Sequence, residues 1–378
     1  MATPPTDLLH ACDRRLHRAL ATRIEGRQPA VLYDAVRDRL RESAVTESGT
    51  LLLATASALG DDPARAALAD GDDATSREAA TPGTIPGSDR ALDAAVAITL
   101  VETGARIHAR LLEGPTPFSL PADDDDPDRN VDDAGRNDDV GRNRGTSIDP
   151  GTETLLAGDV CYAAAFTQIA DDEGNAAGPT GPIEAVDRYA LLAGTMTTVS
   201  EGLTIAADAD GGTLETTEEA VHRTLGSLYE AAMGLGGAVV ERDEGADALR
   251  ECGRHLGTAV GMAQLDPAAG APTTDSSAST DAASPTTDAA SPTTDAASPI
   301  ANADPAAVRD RTRHHERAAI EAATDAFPSE SGAYSRSDTG STATADGMAA
   351  DGDRAPSGMS REVETLASLV RAVLDRSA

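Results

Sequence analysis

The sequence predicts an all-α fold. Apolar residues recur at three- and four-residue spacings along most of the chain, and no convincing run alternates with period two. Hydrophobic residues make up 40% of the 378 positions, which is enough for a core and too much for an acidic disordered chain.

Taken in order, residues 8–24 place Leu8, Leu9, Cys12, Leu16, Leu20 and Ile24 on one helical face, and 32–40 repeats the spacing with Leu32, Val36 and Leu40. Residues 51–59 are apolar enough to be buried on all sides. Residues 91–112 turn Ala95, Ile98, Val101, Ala105, Leu111 and Leu112 inward. Further helices are expected over 155–169, 189–207, 218–240, 246–262, 305–327 and 361–374. Between them lie stretches dominated by Asp, Thr, Ser, Pro and Gly, at about 71–89, 121–150, 267–304 and 331–356. The second contains a tandem repeat, Asp-Asp-Ala-Gly-Arg-Asn at 132–137 and Asp-Asp-Val-Gly-Arg-Asn at 138–143. The third repeats Thr-Thr-Asp-Ala-Ala-Ser-Pro at 286–292 and 293–299. Such segments cannot bury enough apolar area to offset chain entropy, so they read as disordered acidic inserts in one domain spanning 1–378. The last two helices are too short to fold alone.

The chain carries 31 basic and 64 acidic residues, a net charge of −33, and none of the basic residues is lysine. That balance repels nucleic-acid phosphates and anionic membrane surfaces. No run approaches the ~20 apolar residues of a membrane span. The first residues lack the basic-then-apolar layout of a signal peptide, and Cys12, Cys161 and Cys252 are too scattered for a metal or disulfide framework, which points to the cytoplasm. Tryptophan is absent and aromatics are 2% of the chain. At ~1 M salt the Debye length falls to about 3 Å and most self-repulsion is screened. High acidity, missing lysine and alanine in place of larger apolar residues therefore predict a salt-rich cytoplasm, that of a halophile.

A series of local motifs runs through the helices. Ile107-His108 closes a helix of small residues, and Leu155-Leu156-Ala157-Gly158-Asp159 opens an alanine-rich one. Ser200-Glu201-Gly202 lies inside a later helix. Gly226-Ser227-Leu228-Tyr229 begins a small-residue helix ending near Gly236, and Gly253-Arg254-His255-Leu256-Gly257-Thr258-Ala259 follows. In order and spacing this series resembles the trans-isoprenyl diphosphate synthases, the polyprenyl synthetase family, over roughly residues 8–265 plus the last helices. The resemblance implies an isoprenoid-synthase-like bundle of long helices around a deep cavity, and enzymes that join an allylic diphosphate to isopentenyl diphosphate. Two aspartate-rich motifs facing each other would hold magnesium ions, which need oxygen ligands, on the leaving diphosphate.

The chain departs from that pattern at most chemical positions. After Ile107-His108 the two expected aspartates are Ala109 and Arg110, and only Glu113 keeps an acid. The basic motif expected near 44–48 is Ala-Val-Thr-Glu-Ser. The expected Lys-Thr pair is Thr224-Leu225, and the Gly-Gln-x-x-Asp motif is Gly202-Leu203-Thr204-Ile205-Ala206. The second aspartate motif is Gln264-Leu265-Asp266-Pro267-Ala268. Residues that pack helices persist, whereas those that would bind magnesium and diphosphate are replaced. Asp124 to Asp128 spells Asp-Asp-Asp-Pro-Asp, but Pro127 disfavours the helix that would make the acids converge. His314-His315 beside Glu316 reads as a surface pair, and His108 and His255 as packed or capping residues.

Remnants of a site are therefore expected at His108, Arg110, Glu113, Asp159, Glu201 and Asp266, with no catalytic residue and no metal ligand assigned. The resemblance implies a catalytically degenerate protein of isoprenoid biosynthesis, a non-catalytic subunit in a homo- or hetero-oligomer with a prenyl diphosphate synthase, and no cofactor. Two alternatives are an active prenyltransferase with a magnesium site rebuilt from Glu113, Asp159, Glu201 and Asp266, and a protein that binds an isoprenoid ligand in its cavity without chemistry.

Overall fold

A computed structural model describes residues 5–42, 47–60, 86–112, 150–175, 182–208, 212–242, 245–265, 304–327 and 361–377. Among these residues there is no strand. The helices are α1 (Pro5–Ile24), α2 (Ala30–Glu42), α3 (Glu47–Leu59), α4 (Pro86–Ala109), α5 (Pro150–Asn175), α6 (Pro182–Asp208) and α7 (Leu214–Val221). A π-helical turn, His222–Gly226, runs into α8 (Ser227–Ala238), followed by α9 (Ala246–Gln264), α10 (Pro305–Asp325) and α11 (Arg361–Ser377). The apolar periodicities predict these elements to within a few residues at most ends.

The middle of the bundle is α3. Every residue from Ser48 to Leu59 is buried, and α3 packs against α1, α4, α8 and α11. Helices with one apolar stripe surround it: Leu8, Leu9, Cys12, Leu16, Leu20 and Ile24 of α1 are buried, as are Val363, Leu366, Leu369, Val370 and Val373 of α11. Close approach on the far side depends on small residues. Gly253, Gly257 and Gly261 form an i, i+4 row on α9. A Cβ at any of them would come within 3.0 Å of the opposing helix, at Tyr229 O, Leu225 O and Val221 Cγ1 in turn. The start of α9 is fixed by Gly245 at φ +77°, where a side chain would also strike the Ala326 carbonyl. Asp304 caps α10 by accepting from Ala306 N at 2.9 Å, with Pro305 at the first helical position.

The structure corrects several boundaries. The linker read over 71–89 ends earlier, because Pro86 opens α4, a position where a missing N–H costs nothing. Pro150 likewise begins α5. Helix α4 stops at Ala109, so Leu111 is not inward-facing and is 39% exposed. The helix expected over 218–240 is broken by the π turn, which adds a residue to the register and buries Thr224. His315 is buried rather than on the surface. Most of the four inserts, and the aspartates at 124–128, lie outside the described residues. No described helix is long and apolar enough to cross a membrane. Cys12, Cys161 and Cys252 are buried free thiols, each pushed up to about 12 by burial, which keeps them protonated and unreactive.

Candidate functional site

The described remnant residues lie on or beside α4, α5 and α6, which contact one another. His108, at the end of α4, meets Leu155 in the first turns of α5. Phe166 of α5 stacks on Tyr189 of α6 with centroids 6.1 Å apart. Glu201 of α6 then meets Arg223 of the π turn, and His222 meets Thr258 of α9.

Two pairs result. On the first wall His108 Nε2 lies 3.2 Å from Leu155 O and 3.5 Å from Asp159 Oδ1. Its ring meets Tyr162 edge-on at 5.3 Å. Gly158 makes room for it, since a Cβ there would fall within 3.0 Å of the imidazole. Burial raises the Tyr162 phenol above its ordinary range, with smaller contributions from Cys161 and Asp159, so it stays protonated. Ala109 is 3% exposed and faces the core, whereas Arg110 is exposed just past the helix end.

On the second wall Arg223 is held between two acids, Nη1 to Glu201 Oε2 at 2.5 Å and Nε to Glu219 Oε1 at 2.6 Å. The bond to Glu219 contributes most to raising its pKa, so the guanidinium is a fixed charge. Gly202 lets α6 approach this turn, for a Cβ there would come within 3.0 Å of Thr224 and Arg223. Arg254 is similarly committed, forming a fork on Glu230 with Nε at 2.9 Å and Nη2 at 2.7 Å, and reaching Glu251 at 2.9 Å. Thus the structure joins His108 to Asp159 and Glu201 to Arg223. Glu113 and Asp266 lie outside the described residues.

Two features of this region escaped the sequence. Glu102 of α4 is a buried acid, 2% exposed, that accepts from Ser48 N at 3.2 Å, Ser48 Oγ at 2.5 Å and Arg106 Nη2 at 2.7 Å. Its one signal was a lone carboxylate inside an apolar run. Arg223 carries no mark in the sequence, because its partners, Glu201 and Glu219, are split between two helices.

Magnesium needs carboxylate oxygens converging on one point. At the end of α4 the side chains are an imidazole, a methyl and a guanidinium, and Glu201 and Glu219 are paired with Arg223. Among the described residues no three His, Cys, Asp or Glu are placed to hold a metal ion. The described residues do not fit the metal cluster that the resemblance implies.

Comparison with solved structures follows the helix order described above. A geranylgeranyl pyrophosphate synthetase from the archaeon Geoglobus acetivorans superposes with a TM-score of 0.54 at 15% identity, covering 84% of this chain and 91% of the other. The fold is that of the isoprenoid synthases. A geranyl diphosphate synthase small subunit from Antirrhinum majus gives 0.53 at 14% identity, over 85% and 93% of the two chains. A heterotetrameric geranyl pyrophosphate synthase from mint gives 0.52 at 16% identity, over 83% and 92%. No protein-family model matches the sequence, and comparison with curated proteins finds no significant match.

Proposed function

We propose that the chain is a catalytically degenerate member of the polyprenyl synthetase family, acting as a non-catalytic subunit of a prenyl diphosphate synthase in a salt-rich cytoplasm. The observation that carries this reading is the content of the first wall. Where the resemblance expects two aspartates, Ala109 is packed into the core and Arg110 is exposed beyond the helix end. A methyl and a guanidinium offer no oxygen ligand to a magnesium ion. The second wall supports the same reading, since its acids are spent on Arg223.

The partner half of the proposal rests on an exposed face with little charge in a chain of net charge −33. Leu155 and Leu156 of α5 are 47% and 37% exposed. On α6 the exposed positions include Ala190, Ala193, Gly194, Thr197 and Ser200. Thr197 and Ser200 return their hydroxyls to the carbonyls of Ala193 and Met196 at 3.0 and 2.9 Å. Those groups are satisfied within the helix, so covering the face strands fewer polar atoms. The small subunit and the heterotetramer named above are similar in fold, and an assembly of that kind is what the face suits.

Co-expression with a competent prenyl diphosphate synthase of the same cell tests this in molar salt. The proposal expects a mixed oligomer by light scattering, weakened by Leu155→Arg with Gly194→Arg. A monodisperse free chain alongside an unaltered synthase would refute it.

A further inference from the structure

Continuing from Glu251, which also accepts from Arg254, α9, α10 and α7 share a polar chain of two histidines and two carboxylates. Glu251 Oε1 lies 3.1 Å from His255 Nε2. His255 Nδ1 lies 2.9 Å from His315 Nδ1. His315 Nε2 lies 2.9 Å from Glu218 Oε1, and Arg311 Nη1 lies 2.9 Å from Glu218 Oε2. The side chains of His315, Glu218 and His255 are 8%, 17% and 20% exposed.

The geometry bears on the proton count. Glu218 accepts from His315 Nε2, which therefore carries hydrogen. Glu251, 3.1 Å from His255 Nε2, favours hydrogen on that nitrogen through its charge. The ring centroids are 5.2 Å apart, and beyond the 2.9 Å gap the span is little more than two ring radii. Each Nδ1 therefore points along the line to the other. Two neutral rings would set lone pair against lone pair, and two imidazolium rings would set N–H against N–H. One proton between them satisfies both nitrogens. A metal ion does not fit that line, because a zinc–nitrogen bond alone needs about 2.0–2.1 Å on each side.

We propose that His255 and His315 bind a single proton between their Nδ1 atoms, forming a clasp that ties α10 to α9 and loosens when the pH moves either way from the mid-range. Glu251 and Glu218 at the two ends favour that one proton, with Glu215, Glu219 and Glu230 on neighbouring turns. Arg254 of α9, Arg311 and His314 of α10, and His222 of the π turn oppose a second. The His255 imidazole is accordingly held below its ordinary range, chiefly by burial, with Glu251 pulling upward and His315 and His222 downward. His222 is lowered too, by burial and then by Arg254.

The linkage has two signs. Unfolded, each histidine titrates near about 6.5, so the pair binds about two protons in acid, one near that pH and none in base. Folded, the clasp is proposed to keep one between its Nδ1 atoms on both sides of that midpoint. Below the mid-range the unfolded chain binds more protons, so stability is lost as the pH falls. Above it the unfolded chain binds fewer, and stability is lost as the pH rises until the clasp gives up its proton.

Urea unfolding of the full chain at fixed molar salt, from about pH 5 to about pH 9, compares the natural protein with His255→Gln and His315→Gln. The difference between natural protein and variant should peak near about pH 6.5 and decline on both flanks, its unfolding constant ratio approaching tenfold per pH unit. A difference that is flat, or that runs one way with pH, overturns the clasp. If the variants do not fold, imidazole nitrogen NMR of the natural protein decides: three hydrogens on the four ring nitrogens of the pair support it, and two or four overturn it. A fall in melting temperature on adding a chelator would show a metal in its place, and would also overturn it.

Discussion

Replacing the glycines of α9 tests the packing on which every other statement depends. In an exposed helix interior, glycine to alanine stabilises by about 1 kcal/mol through backbone entropy. Gly194 of α6 meets that description, with nothing within 4 Å of an added Cβ, so Gly194→Ala should gain up to about 1 kcal/mol. Gly253 and Gly257 are in the opposite situation. Their added Cβ atoms would come within 3.0 Å of the carbonyl oxygens of Tyr229 and Leu225, which are backbone atoms and cannot rotate away. Two helices must separate by roughly 1 Å to restore contact distance, and overpacking of this kind costs about 1–3 kcal/mol. Net of the entropic gain, each single variant should lose up to about 2 kcal/mol. The double variant should lose less than the sum, since one separation of the helices makes room for both Cβ atoms. Urea unfolding followed by circular dichroism in molar salt reads the four variants against the natural protein. Stabilisation by Gly253→Ala equal to that by Gly194→Ala would mean that α9 does not lie against the π turn and α8 at this separation.

Three further outcomes follow from the geometry. Arg106→Ala leaves Glu102, whose side chain is 3% exposed, without its cation; it should cost about 3–5 kcal/mol in urea unfolding, and a loss below 1 kcal/mol would mean water reaches the carboxylate. Ala109→Asp puts an unpartnered acid at a 3% exposed position and should cost about 1–3 kcal/mol in the same assay, with magnesium giving no recovery. A magnesium-dependent rise in melting temperature would show ligands that the described residues do not contain. Finally, with a net charge of −33, helical signal should be lost on dialysis below about 0.5 M salt as screening weakens, and a signal that persists there would count against the halophile reading.

The fold was legible because its signal is local. The spacing of Leu8, Cys12, Leu16 and Leu20 states which face of α1 is buried, and Asp304 followed by Pro305 at the first helical position marks where α10 begins. Gly253 and Gly257 could be recognised as packing residues for the same reason. The site was legible only as a set of substitutions. Periodicity tells which residues turn inward but not which helix they meet, and the informative pairs are distant in sequence. Glu102 and Ser48 are 54 positions apart, and His255 and His315 are 60 apart. His315 looked like a surface residue because its neighbours on α10 are charged; only the docking of α10 on α9 and α7 buries it. The π turn carries no compositional mark, since it arises from one extra residue in an otherwise helical stretch.

The most direct test of the account is steady-state condensation of isopentenyl diphosphate with a series of allylic diphosphates by the purified chain, in molar salt with magnesium. With a buried methyl and a guanidinium on the first wall and the acids of the second paired to Arg223, the chain alone should give no product above a no-protein blank. Turnover above that blank, abolished by a chelator, would contradict the account and show that a working metal site is assembled from residues elsewhere in the chain.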